Sequence, residues 1–330
     1  MNITAISKNS GYVSPNGTSS VLNYANNTVA NLATLPVNNG TFNLETSTNN
    51  VSIVVDLEGY YAPSSGTNFH PLAPFRLFDT RCSASPEPSF CATENVATSL
   101  EPLQPNTGIK IALSSVTQIP VSATALAMNL AVANSSSGGY LSVGAPTTSN
   151  VNFARGTTAS NSVVAGVTNG TISVYNGSSG VENVVGDVFG YYTSSSTGSM
   201  LSVVTRVCDT RTGAHDVNSA ISGECDNGGT LGAGQTITLN LSGLMAQLYP
   251  ASTVQPSAVT LNVTSVGPAG NGYIDIYPAS GSAPVVASAN FSANSIHAQQ
   301  VTVGLSANDE INIKVSTDMN VVIDLEGVMF

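Results

Sequence analysis

Arg76-Leu77-Phe78-Asp79-Thr80-Arg81 returns as Arg206-Val207-Cys208-Asp209-Thr210-Arg211, and the two copies hold four of the chain's eight Lys and Arg residues. Scarce positive charge is concentrated in a repeated motif. Outward from it, Asn129-Leu130-Ala131 matches Asn262-Val263-Thr264, and Gly139-Tyr140 matches Gly272-Tyr273. Val151-Asn152-Phe153 matches Ala289-Asn290-Phe291, and Asp187-Val188-Phe189-Gly190 matches Asp324-Leu325-Glu326-Gly327. The period of 130 to 138 residues is that of a whole domain, since solenoid units run to roughly 20–50 residues. An earlier copy appears in Asn2-Ile3-Thr4, Gly11-Tyr12, Leu22-Asn23-Tyr24 and Asp56-Leu57-Glu58-Gly59, without any Asp-Thr-Arg counterpart. The sequence therefore predicts a half repeat of closing strands over 1–62 and complete repeats over 68–192 and 200–330.

The local pattern is β throughout. Thr236-Ile237-Thr238-Leu239-Asn240-Leu241 and Ile311-Asn312-Ile313-Lys314-Val315 alternate apolar and polar residues with period two, as half-buried strands do. Asn16-Gly17, Asn39-Gly40, Asn169-Gly170, Asn176-Gly177 and Asn271-Gly272 supply residues that tolerate positive φ at turns. Ser242 to Leu248 is the one expected short helix, and polar linkers are expected at 62–67 and 193–198. Short strands separated by such turns predict an all-β fold of tandem β-sandwich, jelly-roll-like repeats, two complete and one half.

Charged residues make up 8% of the chain and the net charge is −11. That balance argues against nucleic acid, which needs clustered cations, and against anionic lipid. No run of 18 apolar residues exists to insert into a membrane. Four cysteines fall two per complete repeat, which predicts local disulfides Cys82–Cys91 and Cys208–Cys225, stapling surface loops in an oxidising, extracellular setting. Asn-x-Ser/Thr sequences at Asn16, Asn39, Asn50, Asn169, Asn240 and Asn262 would permit glycosylation there.

The apolar strand Val51-Ser52-Ile53-Val54-Val55-Asp56, like its partners around Asp187 and Asp324, carries a carboxylate into a run that otherwise favours burial on both faces. A buried carboxylate needs a cation or several donors. The motif supplies them: Arg76, Asp79 and Arg81 in one repeat, Arg206, Asp209 and Arg211 in the next. If the motif is extended, Leu77, Asp79 and Arg81 share a face, so Arg81 is expected to bridge to Asp187 or Asp79, and Arg211 to Asp324 or Asp209. Asp56 lacks such a cation in its own half repeat, which makes it a candidate assembly residue.

Phe69-His70-Pro71-Leu72-Ala73-Pro74-Phe75-Arg76-Leu77-Phe78-Asp79-Thr80-Arg81, Pro120-Val121-Ser122-Ala123-Thr124-Ala125, Gly272-Tyr273-Ile274-Asp275-Ile276-Tyr277-Pro278 and Asp187-Val188-Phe189-Gly190-Tyr191-Tyr192 together resemble tandem repeats of secreted and cell-surface proteins of actinobacteria. The resemblance covers essentially the whole chain. It implies an accessory module or surface stalk with no catalytic residue set. The chain departs from that pattern at its closing Gly327-Val328-Met329-Phe330 and in the missing Phe-x-Pro-Leu entry of the last repeat.

Enzymatic motifs are lacking. His70, His215 and His297 occupy unrelated repeat positions and read as loop or surface residues. No Gly-x-Ser-x-Gly elbow or His-Glu-x-x-His helix is present, and no cofactor or metal is implied. Tyr12, Tyr140 and Tyr273 recur at matching strand starts and are the candidate glycan-binding residues of an alternative, carbohydrate-binding reading, whereas Tyr24, Phe153 and Phe291 read as core. The favoured expectation is a non-enzymatic extracellular structural protein forming a cell-surface stalk or filament. Its partner would be itself, head to tail, or neighbouring repeats of a longer chain, with a donated strand completing the half repeat.

Overall fold

The computed structural model describes residues 1–15, 20–61, 67–84, 87–89, 91, 96–144, 146–194, 200–213, 217–221, 225, 228–249 and 254–330. The Asn16-Gly17 turn, His215 and most of both expected linkers lie outside them. Twenty-two strands, one α-helix, α1 (Ser242–Leu248), and one 3-10 turn, Thr80–Ser83, make up the described elements.

The middle unit runs β7 (Thr67–Asp79), β8 (Thr107–Ala112), β9 (Ala123–Val132), β10 (Gly139–Val143), β11 (Val151–Phe153), β12 (Ala159–Gly166), β13 (Thr171–Asn176) and β14 (Val184–Ser194). Its two antiparallel sheets are ordered β12-β9-β14-β7 and β11-β10-β13-β8. Numbered 1 to 8 within the unit, the strands form sheets 6-3-8-1 and 5-4-7-2, the eight-stranded jelly-roll arrangement. The last unit repeats it with β15 (Met200–Asp209), β16 (Thr236–Asn240), β17 (Ala258–Val266), β18 (Gly272–Pro278), β19 (Ala289–Phe291), β20 (Ile296–Gly304), β21 (Glu310–Val315) and β22 (Asn320–Met329). Each sandwich closes over its own core: Leu126, Leu130, Leu141 and Ile172 in the middle unit, Val263, Ile276, Ile313 and Leu325 in the last. Strand 1 lies at a sheet edge, where Pro71 and Pro74 of β7 need not donate to a ladder.

The first unit consists of β1 (Asn2–Ser7), β2 (Ser10–Ser14), β3 (Leu22–Ala25), β4 (Thr28–Leu32), β5 (Glu45–Thr46) and β6 (Val51–Asp56). These are strands 3 to 8, in sheets β4-β1-β6 and β3-β2-β5. Strands 1 and 2 have no counterpart among the described residues. A reduced core of Ile3, Ala5, Val13, Leu22 and Tyr24 still closes between the two sheets.

Of the Asn-Gly pairs, Asn39-Gly40 and Asn169-Gly170 adopt positive φ at both residues, as tight hairpin turns require. Asn176-Gly177 and Asn271-Gly272 do not. Asn176 is instead buried, and its amide donates to the carbonyls of Leu103, Gln104 and Gly180. Both disulfides form, but Cys208–Cys225 is no surface staple. Cys208 lies on β15 pointing inward, and both sulfurs belong to the last unit's core. His70 and His297 also sit in strands rather than loops. His70 stacks on Tyr191 with ring centroids 4.9 Å apart and hydrogen-bonds Thr193, while burial holds His297 below its usual pKa.

Candidate functional site

The Arg-x-x-Asp-Thr-Arg motif is the clasp that binds strand 1 to strand 8. Arg76 Nε donates to Asp187 Oδ1 at 2.7 Å, its NH2 to Asp187 Oδ2 at 3.1 Å, and its NH1 to Asp79 Oδ2 at 3.1 Å. Arg206 repeats the fork on Asp324 at 2.9 and 3.3 Å, and its NH1 lies 3.6 Å from Asp209. Arg81 and Arg211 pair with Asp79 and Asp209 inside the motif. The closing carboxylate is therefore met by the first arginine of each motif and not by the second, correcting the Arg81–Asp187 and Arg211–Asp324 alternatives. Two local features cause this. A bulge sets Arg76 opposite Asp187 and Arg206 opposite Asp324, with Leu77 and Val207 as the extra, fully buried residues. The strand then ends at Asp79, whose carboxylate caps the 3-10 turn Thr80–Ser83, so Arg81 does not extend the strand's face. The threonine completes the clasp: Thr80 Oγ1 accepts from Val184 N at 2.8 Å, and Thr210 Oγ1 from Val321 N at 2.9 Å.

The faces carrying these carboxylates are covered by neighbouring units, which close around a pseudo-threefold axis of buried amides. Asn2, Asn129 and Asn262 sit at the same position of strand 3, each opposite the strand 8 aspartate. Asn161 Nδ2 donates to Asn2 Oδ1 (3.0 Å), Asn31 Nδ2 to Asn262 Oδ1 (3.2 Å), and Gln299 Nε2 to Asn129 Oδ1 (2.7 Å). Each unit thus donates to the next in one rotational sense. The three strand 3 asparagines complete the cycle by donating to Ser149, Ala287 and Ser20 carbonyls, again one unit to another. Asp187 joins clasp to ring by accepting from Ala287 N at 3.2 Å. Asn262, buried in this ring, is not available for glycosylation.

The first unit takes part in the ring but has no clasp. No cation pairs with Asp56 among the described residues, and β6 hydrogen-bonds β1 alone. Val54 is 45% exposed against 6% for its counterparts Val185 and Val322, and Leu57 is 71% exposed against 0% for Val188 and Leu325. The Asp-x-x-Gly glycine marks the same gap. A Cβ on Gly190 would collide with the Phe69 ring and one on Gly327 with the Met200 methyl, whereas one on Gly59 would meet nothing within 4 Å.

Around the opposite side of the ring, the three units enclose a depression of about 1170 Å³ whose lining includes Tyr12, Tyr140, Asn23, Asn152, Asn290 and His297 and holds no charged side chain other than what His297 could acquire. Tyr24, Phe153 and Phe291 are buried, as expected for core. Tyr12 and Tyr140 meet at this depression, while Tyr273 is comparably exposed but outside its lining.

Two glutamates two positions after the strand 8 aspartate, Glu58 and Glu326, sit at the unit interfaces. Glu326 accepts from Gln300 Nε2 at 2.6 Å, and Glu58 accepts from Asn150. Burial is the main cause that pushes each up to about 7, and it raises Asp275, whose Oδ1 has no partner, to about 8.

Asp187→Asn should lower stability by about 3–5 kcal/mol, because it removes the carboxylate met by two of the buried Arg76 nitrogens and leaves that cation only Asp79, which Arg81 already engages. Asp56→Asn should change stability by less than about 0.5 kcal/mol, because the half-buried Asp56 has no ion pair to lose among the described residues. Denaturant midpoints of the two variants check the contrast. The raised carboxylates add a pH dependence. The folded state holds their protons more tightly than the unfolded chain, so their contribution is full below about pH 4.5 and declines as pH rises through 7 to 8. Thermal melts from pH 4.5 to 8.5 should show that decline, and the Glu58→Gln/Glu326→Gln variant should flatten it.

No family model matches the chain, and no curated protein does. Among solved structures, the major capsid protein P2 from bacteriophage PM2 aligns over 68% of this chain and 93% of its own, at 8% identity and a TM-score of 0.18. An archaeal virus protein described by its triple jelly roll fold and turret assembly aligns over 98% and 78%, at 12% identity and a TM-score of 0.16. The coconut allergen cocosin aligns over 79% and 87%, at 9% identity and a TM-score of 0.17. Scores of this size carry no inference about the chain.

Proposed function

We propose that this chain is a non-catalytic structural repeat protein of the cell exterior that contributes to a surface stalk or filament. The observation that carries the reading is the first unit: a jelly roll that keeps strands 3 to 8, is held in the ring, and presents an uncovered strand 8 edge with Asp56 on it. An open edge of this kind is a template for another chain. The three units close side by side around their amide ring, so attachment to a larger assembly uses that edge rather than a string of separated domains. Two disulfides fit an oxidising environment, and faces rich in Ser, Thr and Asn with few cationic side chains offer little to trypsin-like proteases. The resemblance to actinobacterial surface repeats points the same way.

Immunogold electron microscopy of producing cells tests this. Label on extracellular stalks or threads is expected; label confined to the cytoplasm, or found only on dispersed secreted monomer, overturns the reading.

A second reading, binding of neutral glycans, draws on one observation: Tyr12 and Tyr140 meet in a large depression lined by amides and hydroxyls. Tyrosine rings suit sugar faces because they join an apolar surface to a polar tip. Glycan-array binding that disappears in Tyr140→Ala would support it, and an array without signal would remove it.

A further inference from the structure

We infer that the β6 edge is a docking site for one particular kind of strand, an extended segment of Arg-x-x-Asp-Thr-Arg type other than the engaged β7 and β15. This names the partner for the structural reading above, on which its biological meaning rests. The two complete units serve as templates for the occupant, because strand 1 meets the same three features in each and a fourth in the middle unit. An arginine lies opposite the strand 8 aspartate. The next residue bulges into the core. A large apolar side chain, Phe69 or Met200, fills the space over the Asp-x-x-Gly glycine. In the middle unit the two residues after that glycine pack on the incoming strand, Tyr191 on His70 and Tyr192 on Phe69 with centroids 5.1 Å apart.

The first unit keeps the receiving half of these features. Among the described residues Asp56 has no cation, a Cβ on Gly59 would meet nothing within 4 Å, and Tyr60 is 82% exposed, while the partly exposed Tyr61 already bonds the Tyr192 hydroxyl through its own. The occupant is thereby specified in chemistry and register. It runs antiparallel to β6, sets its arginine against Asp56, and places a bulky apolar residue six or seven positions earlier, over Gly59.

A count of strands narrows the source. Among the described residues there are three strand 8 edges, on β6, β14 and β22, and two strand 1 donors, β7 and β15, both engaged. Moving either donor to β6 would open another edge, so the occupant is a further strand of the same type, added to the edge by main-chain hydrogen bonding.

The test uses the full chain and a fluorescent synthetic peptide with the sequence of residues 67–81, followed by anisotropy and by hydrogen exchange. Saturable binding is expected, with new protection confined to 51–61. Arg76→Gln or Phe69→Ala in the peptide, and Asp56→Asn in the protein, should each weaken binding at least about tenfold, the scale of a close charge pair or a filled apolar pocket. Asp56→Asn combined with the Arg76→Gln peptide should lose little beyond either change alone, since both break one contact. Gly59→Ala should block the peptide without lowering the melting temperature, whereas Gly190→Ala and Gly327→Ala should lower it.

Absence of binding at any soluble peptide concentration overturns the proposal. So does binding indifferent to Asp56→Asn and Gly59→Ala, or protection appearing in 184–194 or 320–329, which would mean exchange with a resident strand. If a protein variant does not fold, the peptide substitutions alone decide. Peptide binding without extracellular threads would leave this site standing and remove the stalk reading; threads without peptide binding would do the reverse.

Discussion

Everything in this molecule is arranged around a carboxylate carried by the eighth strand of each jelly roll. Such a group resists burial, and each complete unit solves the problem by bringing an arginine from the first strand against it in a two-pronged contact. The cation is then balanced by the aspartate three residues on, which is held by the second arginine. Two positive and two negative groups cancel, and the chain's first and last strands are locked together. This accounts for half of its basic residues gathering in two short segments. Buried ion pairs of this kind add less to stability than they do to specifying register, and here they fix which strand may lie beside strand 8.

The amide ring gives the second level of order. Lateral closure of three units covers sheet faces that an isolated sandwich would leave in water, so polar residues there become buried and must find partners. They find them in each other, in a cycle that uses the same strand positions three times. The exception is informative: the last unit uses Gln299 where the others use Asn31 and Asn161, and the longer side chain also takes a hydrogen bond from Ser160. An incomplete unit can therefore be held firmly, because the ring draws on strands 3 and 6 and on the segment just before strand 5, all of which it retains.

Much of this was legible in the residues. The recurrence of Asp-Thr-Arg and Asp-x-x-Gly located the units and the clasp, and their alternation with Asn-Gly turns indicated sandwiches. Which arginine reaches Asp187 was hidden, since a bulge at Leu77 changes the facing and no local pattern announces a bulge. The ring was hidden for a different reason. Asn129 and Asn262 in alternating strands look like ordinary solvent-facing residues, and only their recurrence with Asn2 at one register, opposite the aspartate, could have signalled a shared buried role. The inward position of Cys208 was similarly masked, because a cysteine inside a strand motif does not reveal which face it takes.

The central claim is that strand 8 is paired on both sides in two units and on one side in the first. Native-state hydrogen exchange resolved to single amides measures this directly. The account predicts that amides of Val51–Asp56 pointing away from β1 exchange orders of magnitude faster than their counterparts in β14 and β22. Equal protection across the three segments would contradict it.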